Sequence, residues 1–420
     1  MSRKELYLNA EDRKMLTGER GSGPRLAMEL IVRTAEISNA TRLIDISWAH
    51  VASAYYNGQV NVDFAERLAS SGTRVAVPTT LTSCSLDVRV AGQYGGTPAV
   101  QTALRVIELY REMGCQTVMT CAPYHTRAEP VLGQHVAWSE SSAVVYANSV
   151  LGARTNRYDE FLDMCAAITG RVPDAGLHRT RNRRAAILCN LREIPEPWLD
   201  DDRFYHVLGY FIGRTAGTDI PAINGLPETV RKEQLRALGT AAAASGSLSI
   251  FHAIGVSPEA ATHEEAFHGE SPDRIVNIGP VEIRAAAKML ETADARPFSA
   301  VCVGAPHFSI DEFERLIPLI EGVTIKPDIH FYIATSRHVL EDIRERGWLD
   351  MLQKSGVEIV TDRCTYYAPI IEGCDGRVMT ASAKWAYYAP GNLGSSVTFA
   401  SLEDCVQSAV AGRIMLTSNF

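Results

Sequence analysis

An α/β fold built on parallel sheets with flanking helices is predicted by three observations. Short apolar runs rich in β-branched residues alternate with amphipathic stretches of helical period. In the last third, successive apolar runs recur about every 30 residues, the spacing of a βαβ crossover. Several helical stretches end at Gly, as helices do when their last residue turns left-handed. At 420 residues, the chain can form two or three such domains and bury a continuous core without disulfides.

The elements follow in order. TRLIDIS (41–47) reads as a strand, VDFAERLASSG (62–72) as a helix stopped by Gly72, and TRVAVP (73–78) as a second strand. PAVQTALRVIELYREMG (98–114) places Ala103, Val106, Ile107 and Tyr110 on one face and closes at Gly114, and CQTVMT (115–120) is the third strand. The middle reads as more helical, with helices over 139–151, 157–169 and 227–244. The small residues of Gly239–Gly255 suit close packing against another backbone. Then FSAVCVG (298–304), DIHFYIAT (328–335) and VEIVT (357–361) are strands separated by helices over 310–321 and 336–354, the first opened by a Ser309/Glu312 capping box. The expected domains are 1–138, 139–295 and 296–420.

Composition removes several classes of function. A formal charge of −8 argues against a nucleic-acid binder, which needs a basic stripe to release counterions. Arg179, Arg181, Arg183 and Arg184 form the one cationic cluster, and it reads as a solvated helix face. The N-terminus lacks the apolar core of a signal peptide, and no window approaches the roughly 18 apolar residues of a membrane span. Nine Cys, scattered and without a CxxC pair, fit a reducing cytoplasm.

Ligands of parallel α/β sheets bind beyond the carboxyl ends of the strands, and these ends carry the chemistry. The first strand leads to His50 and the second to Thr79 and Thr80, with Cys84 beyond. The third delivers Cys121, Tyr124 and His125. The strand at 298–304 holds Cys302 and leads to His307, and the one at 357–361 leads to Cys364. Thiolates from separate loops select iron–sulfur, zinc or copper(I), although a buried free thiol is the plainer reading of any one of them. Glu140, Ser141 and Ser142 open a helix, where free N–H groups favour an anion. Arg154 and Asn156 follow in one loop, with Arg154 suited to a bidentate grip on a carboxylate. Ordinary capping by Ser141 and Asn156 explains the same residues without a ligand.

These segments together resemble the aconitase X family in its large, catalytic-type subunit. The resemblance rests on LNAEDRKMLTGERG (8–21), DISWAHVASAYYNG (45–58), VPTTLTSCSLD (77–87), TCAPY (120–124), WSESSAVVYANSVLGARTN (138–156), GAPHFS (304–309) and TASAKWAYYAP (380–390). It implies an aconitase-like fold of three α/β domains, with a fourth, swivelling domain fused or supplied by a small subunit. The chain stops at Phe420, as a large subunit alone would. The family implies dehydration of a small hydroxy acid assisted by an iron–sulfur cluster, with cis-3-hydroxy-L-proline or mevalonate 5-phosphate as substrates of its members. A metal with an open position would make the hydroxyl a leaving group, while a base takes the proton alpha to the carboxylate.

The resemblance implies Cys121 and Cys364 as cluster ligands. Some relatives have Gly-Cys-Pro-His where this chain has Gly304-Ala305-Pro306-His307, so the third ligand departs from the pattern. Cys302 is the expected replacement and Cys84 its competitor. Period-two alternation sets residues 302 and 305 on opposite faces unless Gly304 bends the strand. Glu140, Thr80 and Lys384 are the expected catalytic groups, and His50, Thr79, Thr80, Tyr124, Ser141, Ser142, Arg154, Asn156 and His307 the substrate contacts. A salt bridge between Glu140 and Arg154 is the competing use of that carboxylate. The cis-3-hydroxy-L-proline reading leads and mevalonate 5-phosphate is the alternative. A mononuclear-metal enzyme and a non-catalytic interaction subunit remain as further readings.

Overall fold

The structure, a computed structural model, describes residues 5–52, 55–126, 129–292, 294–367 and 371–417. Pro369, in the loop after Cys364, lies outside them. Three parallel sheets carry the chain. In the first, Ala49–Val51 lies between Thr79–Leu81 and Ala137–Trp138. The second runs in the order His252–Ala253, Pro221–Asn224, Ile187–Leu191, Arg274–Ile278. The third runs in the order Val357–Thr361, His330–Thr335, Phe298–Phe308, Arg377–Thr380, Ser396–Phe399. Leu43–Asp45 pairs antiparallel with Arg171–Pro173 apart from these. Among the described residues, no helix is long and apolar enough to cross a membrane.

The last third follows its sequence pattern as far as residue 361, and then adds the unexpected strands Arg377–Thr380 and Ser396–Phe399. Ser309 and Glu312 form the capping box of Ile310–Ile320, and the strands at 330–335 and 357–361 stand where the apolar runs put them. The helix expected over 336–354 is two helices, Arg337–Glu345 and Trp348–Lys354, parted at Gly347 with φ +73°.

Earlier elements depart for identifiable reasons. Residues 73–78 are not a strand, because their backbone bonds go to helix ends: Val75 N–H to the Met113 carbonyl and Ala76 N–H to the Ala167 carbonyl. The ladder starts only at Thr79. Of 115–120, only Gln116 bridges to Thr80, and Met119 at φ +49° ends the extended run. The middle region holds a four-stranded sheet as well as its helices. There the small residues do bring backbones together: a Cβ on Gly246 would lie 1.8 Å from the Gly213 carbonyl oxygen. Helices Asp202–Ala216 and Lys232–Gly246 therefore cross at glycine distance.

The expected division at residue 138 does not separate the packing units. Tyr158 and residues 162–175 share the core of the first body, where Met164, Ala167 and Ile168 pack with Met28, Ile31 and Ala35. Helix Ser141–Ser149 instead joins the middle body, with Val145 against Gly239 of Lys232–Gly246.

Candidate metal centre and the adjoining carboxylate

The strand order of the third sheet turns back at Phe298–Phe308: the chain runs outward on one side to Val357–Thr361, then returns to Arg377–Thr380 on the other. That reversal opens a crevice at the strands' carboxyl ends. On one side of it, the register of Phe298–Phe308 breaks between Val303 and Phe308. Gly304 at φ +91° makes the bend, and a Cβ there would lie 2.0 Å from the Ala334 carbonyl oxygen. On the other side, Ser382 caps helix Ala383–Leu393 and donates to the Ala305 carbonyl. The bend delivers His307 and the helix start delivers Lys384 to one place.

There they meet groups from the first body. Cys121, His307 and Cys364 place their ligand atoms within 4.8 Å of one another, all buried. The Cys121 and Cys364 sulfurs are 3.9 Å apart, and the His307 backbone N–H donates to Cys121 Sγ at 3.2 Å. His307 Nε2 lies 3.1 Å from the Arg363 carbonyl, which can only accept. Nε2 therefore carries a proton, and Nδ1 lies 3.1 Å from the Thr120 hydroxyl. Two thiolates about 2.3 Å from one tetrahedral ion stand roughly 3.8 Å apart, so the pair suits a shared metal. The Cys121 bond holds the Cys364 thiol well below its usual range, against burial and with help from His307 and Lys384. Burial and the Cys364 neighbour push Cys121 the other way.

Lys384 Nζ donates to Glu140 Oε1 at 2.7 Å, with side chains 3% and 12% exposed. Burial works against the Glu140 anion, but the charge and hydrogen bond of Lys384 outweigh it and bring its pKa down to about 2. Burial likewise works against the ammonium, yet Glu140 and the two thiols raise Lys384 well above its usual value. The ion pair thus stands ionised beside the thiols. Ser141 and Ser142 both point at Glu140 Oε1 from 3.3 Å, and Ser142 Oγ also reaches the Cys121 carbonyl at 3.4 Å. Burial takes His50 down to about 4, against the pull of Glu140.

Other expected site residues make contacts of their own. Cys302 Sγ lies 3.4 Å from Cys374 Sγ and outside the Cys121 group. His307, expected as a substrate contact, stands instead where a third donor could join Cys121 and Cys364. The reason is the bend at Gly304, which overrides strand alternation. Cys84 donates to the Leu86 carbonyl. Arg154 does not pair with Glu140; it bonds Glu259, Thr180 and the His178 carbonyl. Arg154 and Glu140 lie beyond opposite ends of helix Ser141–Ser149, which is itself about 13 Å long at 1.5 Å rise per residue. Asn156 fastens the backbone of Ala175 and Leu177. Thr79 bonds the Val77 carbonyl, and Thr80 is held by Trp48 Nε1 at 3.2 Å and His50 Nδ1 at 2.8 Å. Tyr124 stacks on Tyr146 with ring centroids 3.9 Å apart. Sequence reasoning passed over Tyr55 and Tyr367, whose rings meet at 4.9 Å beside Cys364. The aromatic pair in CTYYAP was the available signal.

Sequence models of three aconitase X domains match in chain order: the first over residues 5–181, the second over 187–288 and the third over 298–411. The chain belongs to the aconitase X family. It is 40% identical over 410 residues to cis-3-hydroxy-L-proline dehydratase of Pseudomonas aeruginosa, covering 97% of this chain and 70% of that protein. It is 32% identical over 409 residues to the phosphomevalonate dehydratase large subunit of Methanocaldococcus jannaschii, covering 96% of this chain and all of that one. The crystal structure of Thermococcus kodakaraensis aconitase X in its holo form superposes with a TM-score of 0.85 at 32% identity, over 96% of this chain. Both named relatives are dehydratases, so the aconitase X membership and the fold agree with the α/β, three-domain expectation.

Proposed function

We propose that the chain is the metal-bearing part of a hydro-lyase that dehydrates a small hydroxy acid, cis-3-hydroxy-L-proline first and mevalonate 5-phosphate as the alternative. The observation that carries this reading is the ionised Glu140–Lys384 pair set beside Cys121, His307 and Cys364. A non-catalytic interaction subunit would have no use for that ion pair inside a crevice. The 40% identity to cis-3-hydroxy-L-proline dehydratase favours the proline substrate.

Cys121, Cys364 and His307 would hold an iron–sulfur centre, which when bound supplies a Lewis acid for the substrate hydroxyl. The protein's own residues do the rest. Lys384 swings from Glu140 to the incoming carboxylate and keeps its charge, because the thiols also raise its pKa. Glu140 then loses the partner that keeps it a weak base. Burial raises its proton affinity, and it takes the proton alpha to the carboxylate. Tyr55 and Tyr367 stay neutral, raised by burial, and their hydroxyls can donate to the enolate-like oxygen that develops. A swivelling domain, fused or on a small subunit, would close the crevice against water. The nine cysteines, all free, suit the cytoplasm.

A second reading, one metal ion and no cluster, is favoured by the compactness of the three donors. Anaerobic purification followed by a visible spectrum and an iron-to-sulfide assay separates the two. A broad thiolate-to-iron band with acid-labile sulfide supports the cluster, and metal without sulfide supports the single ion. Failure to dehydrate either acid with the swivelling domain present would sink the hydro-lyase reading.

A further inference from the structure

Far from the metal centre, the chain builds a cavity of about 710 Å³ into which Arg42, Arg154, Arg179 and Arg181 reach. The expected solvated helix face of Arg179–Arg184 is absent. Those residues lie around two short 3₁₀ turns, and Arg183 is fully buried, bonded to Asn148 and to the Asn148, Ala153 and Leu177 carbonyls. The charges of the cavity and its wall do not balance. Asp174 is shared by Arg42 Nε at 3.0 Å and Arg179 Nε at 3.2 Å. Glu259 is shared by Arg154 and Arg183. Arg181 makes no ion pair among the described residues. Four guanidiniums therefore line the cavity with one carboxylate, Asp174, while behind them Arg183 shares Glu259 with Arg154.

Arg42 and Arg181 are exposed at the rim of the cavity, whereas Arg154 and Arg179 are recessed. The side chains of Arg154 and Arg179 are only 17% and 18% exposed, and the buried Arg154 Nε has no acceptor. Two imidazoles stand in the same wall, His135 Nδ1 lying 3.0 Å from His178 Nδ1. One proton lies between the two nitrogens. When His178 supplies it, His135 Nε2 carries its own proton and becomes a further donor. Burial and the neighbouring guanidiniums both disfavour protonating His135, as expected where positive charge is in excess.

We propose that this cavity binds a phosphate group, either as free phosphate or on a small metabolite, at a site distinct from the metal centre. Excess guanidiniums in a recessed site match a dianion with three or four acceptor oxygens better than a single carboxylate. The cavity volume is that of a small-molecule site. Helix Ser141–Ser149 separates it from Glu140, so it does not contact the reacting groups. The helix and Asn148, which bonds both Arg183 and the Thr155 backbone, give the two ends a shared element.

Inorganic phosphate and glycerol phosphate, titrated separately by calorimetry into the full chain at constant ionic strength, test the proposal. Saturable binding of either is expected, and the tighter of the two identifies the source of the phosphate group. Arg42→Ala and Arg181→Ala should each weaken it about tenfold, the effect of losing one charge-assisted contact. Cys121→Ser should bind as wild type does. Absence of saturable heat with both probes would overturn the proposal. So would wild-type affinity in the Arg42→Ala/Arg181→Ala double variant, or loss of phosphate binding in Cys121→Ser with the fold intact.

Discussion

Two pairs of buried thiols lie close together in this molecule, and only one is placed for chemistry. Cys121 and Cys364 are 3.9 Å apart, and Cys302 and Cys374 are 3.4 Å apart. All four are buried. What differs is the surroundings. The first pair receives the His307 backbone N–H and lies near the Lys384 ammonium. The second has no cation among the groups acting on Cys302, whose thiol is driven well above its usual range by burial and by Cys374. Proximity of sulfurs is therefore not what makes a metal site. A nearby positive charge and a third donor stabilise the thiolate form, and without them two thiols behave as small hydrophobes.

The largest expected effect tests that contrast directly. Cys121→Ser and Cys364→Ser should each abolish bound metal and lower turnover on the order of 10³-fold, since a Lewis acid is worth several kcal/mol of barrier. Cys302→Ser should keep its full metal content by elemental analysis. Metal retained in the first two, or lost in the third, would break the comparison.

Lys384→Met should come next, because it leaves Glu140 ionised, largely buried and unpaired. Removing one partner of a buried pair costs about 3–5 kcal/mol, read as a lower urea midpoint. Adding Glu140→Gln should recover most of the loss. The sign with pH follows from the lowered Glu140 pKa. The pair's contribution is complete above the unfolded carboxyl value of 4.5 and is lost as pH falls towards about 2. Lys384→Met should therefore be less destabilising at pH 3 than at pH 7.

Gly246→Ala should cost roughly 1–3 kcal/mol by overpacking against Gly213, again by urea titration, with metal content unchanged. The smallest effect is expected from Arg154→Lys on the reaction. KM for the preferred hydroxy acid should stay within roughly twofold, well under 1.4 kcal/mol, because Arg154 lies at the other end of its helix from Glu140. A tenfold rise in KM would return Arg154 to the substrate site.

Much of this was legible in the sequence, and the remainder has physical reasons. Three of the five C-terminal strands were visible because each is a β-branched run bounded by caps and glycines, whereas Arg377–Thr380 and Ser396–Phe399 were not. Glu140, Lys384, Cys121 and Cys364 could be singled out from strand ends and from the family resemblance. That Glu140 pairs with Lys384 was not visible, because 244 residues separate them and local pattern says nothing of such contacts. His307 as third donor was hidden by the bend at Gly304, which breaks the alternation used to place Cys302. In the middle sheet, Pro221–Asn224 and His252–Ala253 escaped because four and two residues are too short for a clear period.

The long sequence gap inside the candidate metal centre also sets a schedule. Cys121 and Cys364 are 243 residues apart, and synthesis at about 5–20 residues per second takes roughly 12–50 s to cross that gap. His307 follows Cys121 by 186 residues, so for about three quarters of that interval Cys121 exists without either of its partners. Metal delivered to the nascent chain would find a single thiol, which holds a metal ion poorly. An ion held by all three groups could therefore be bound only once the third sheet has folded.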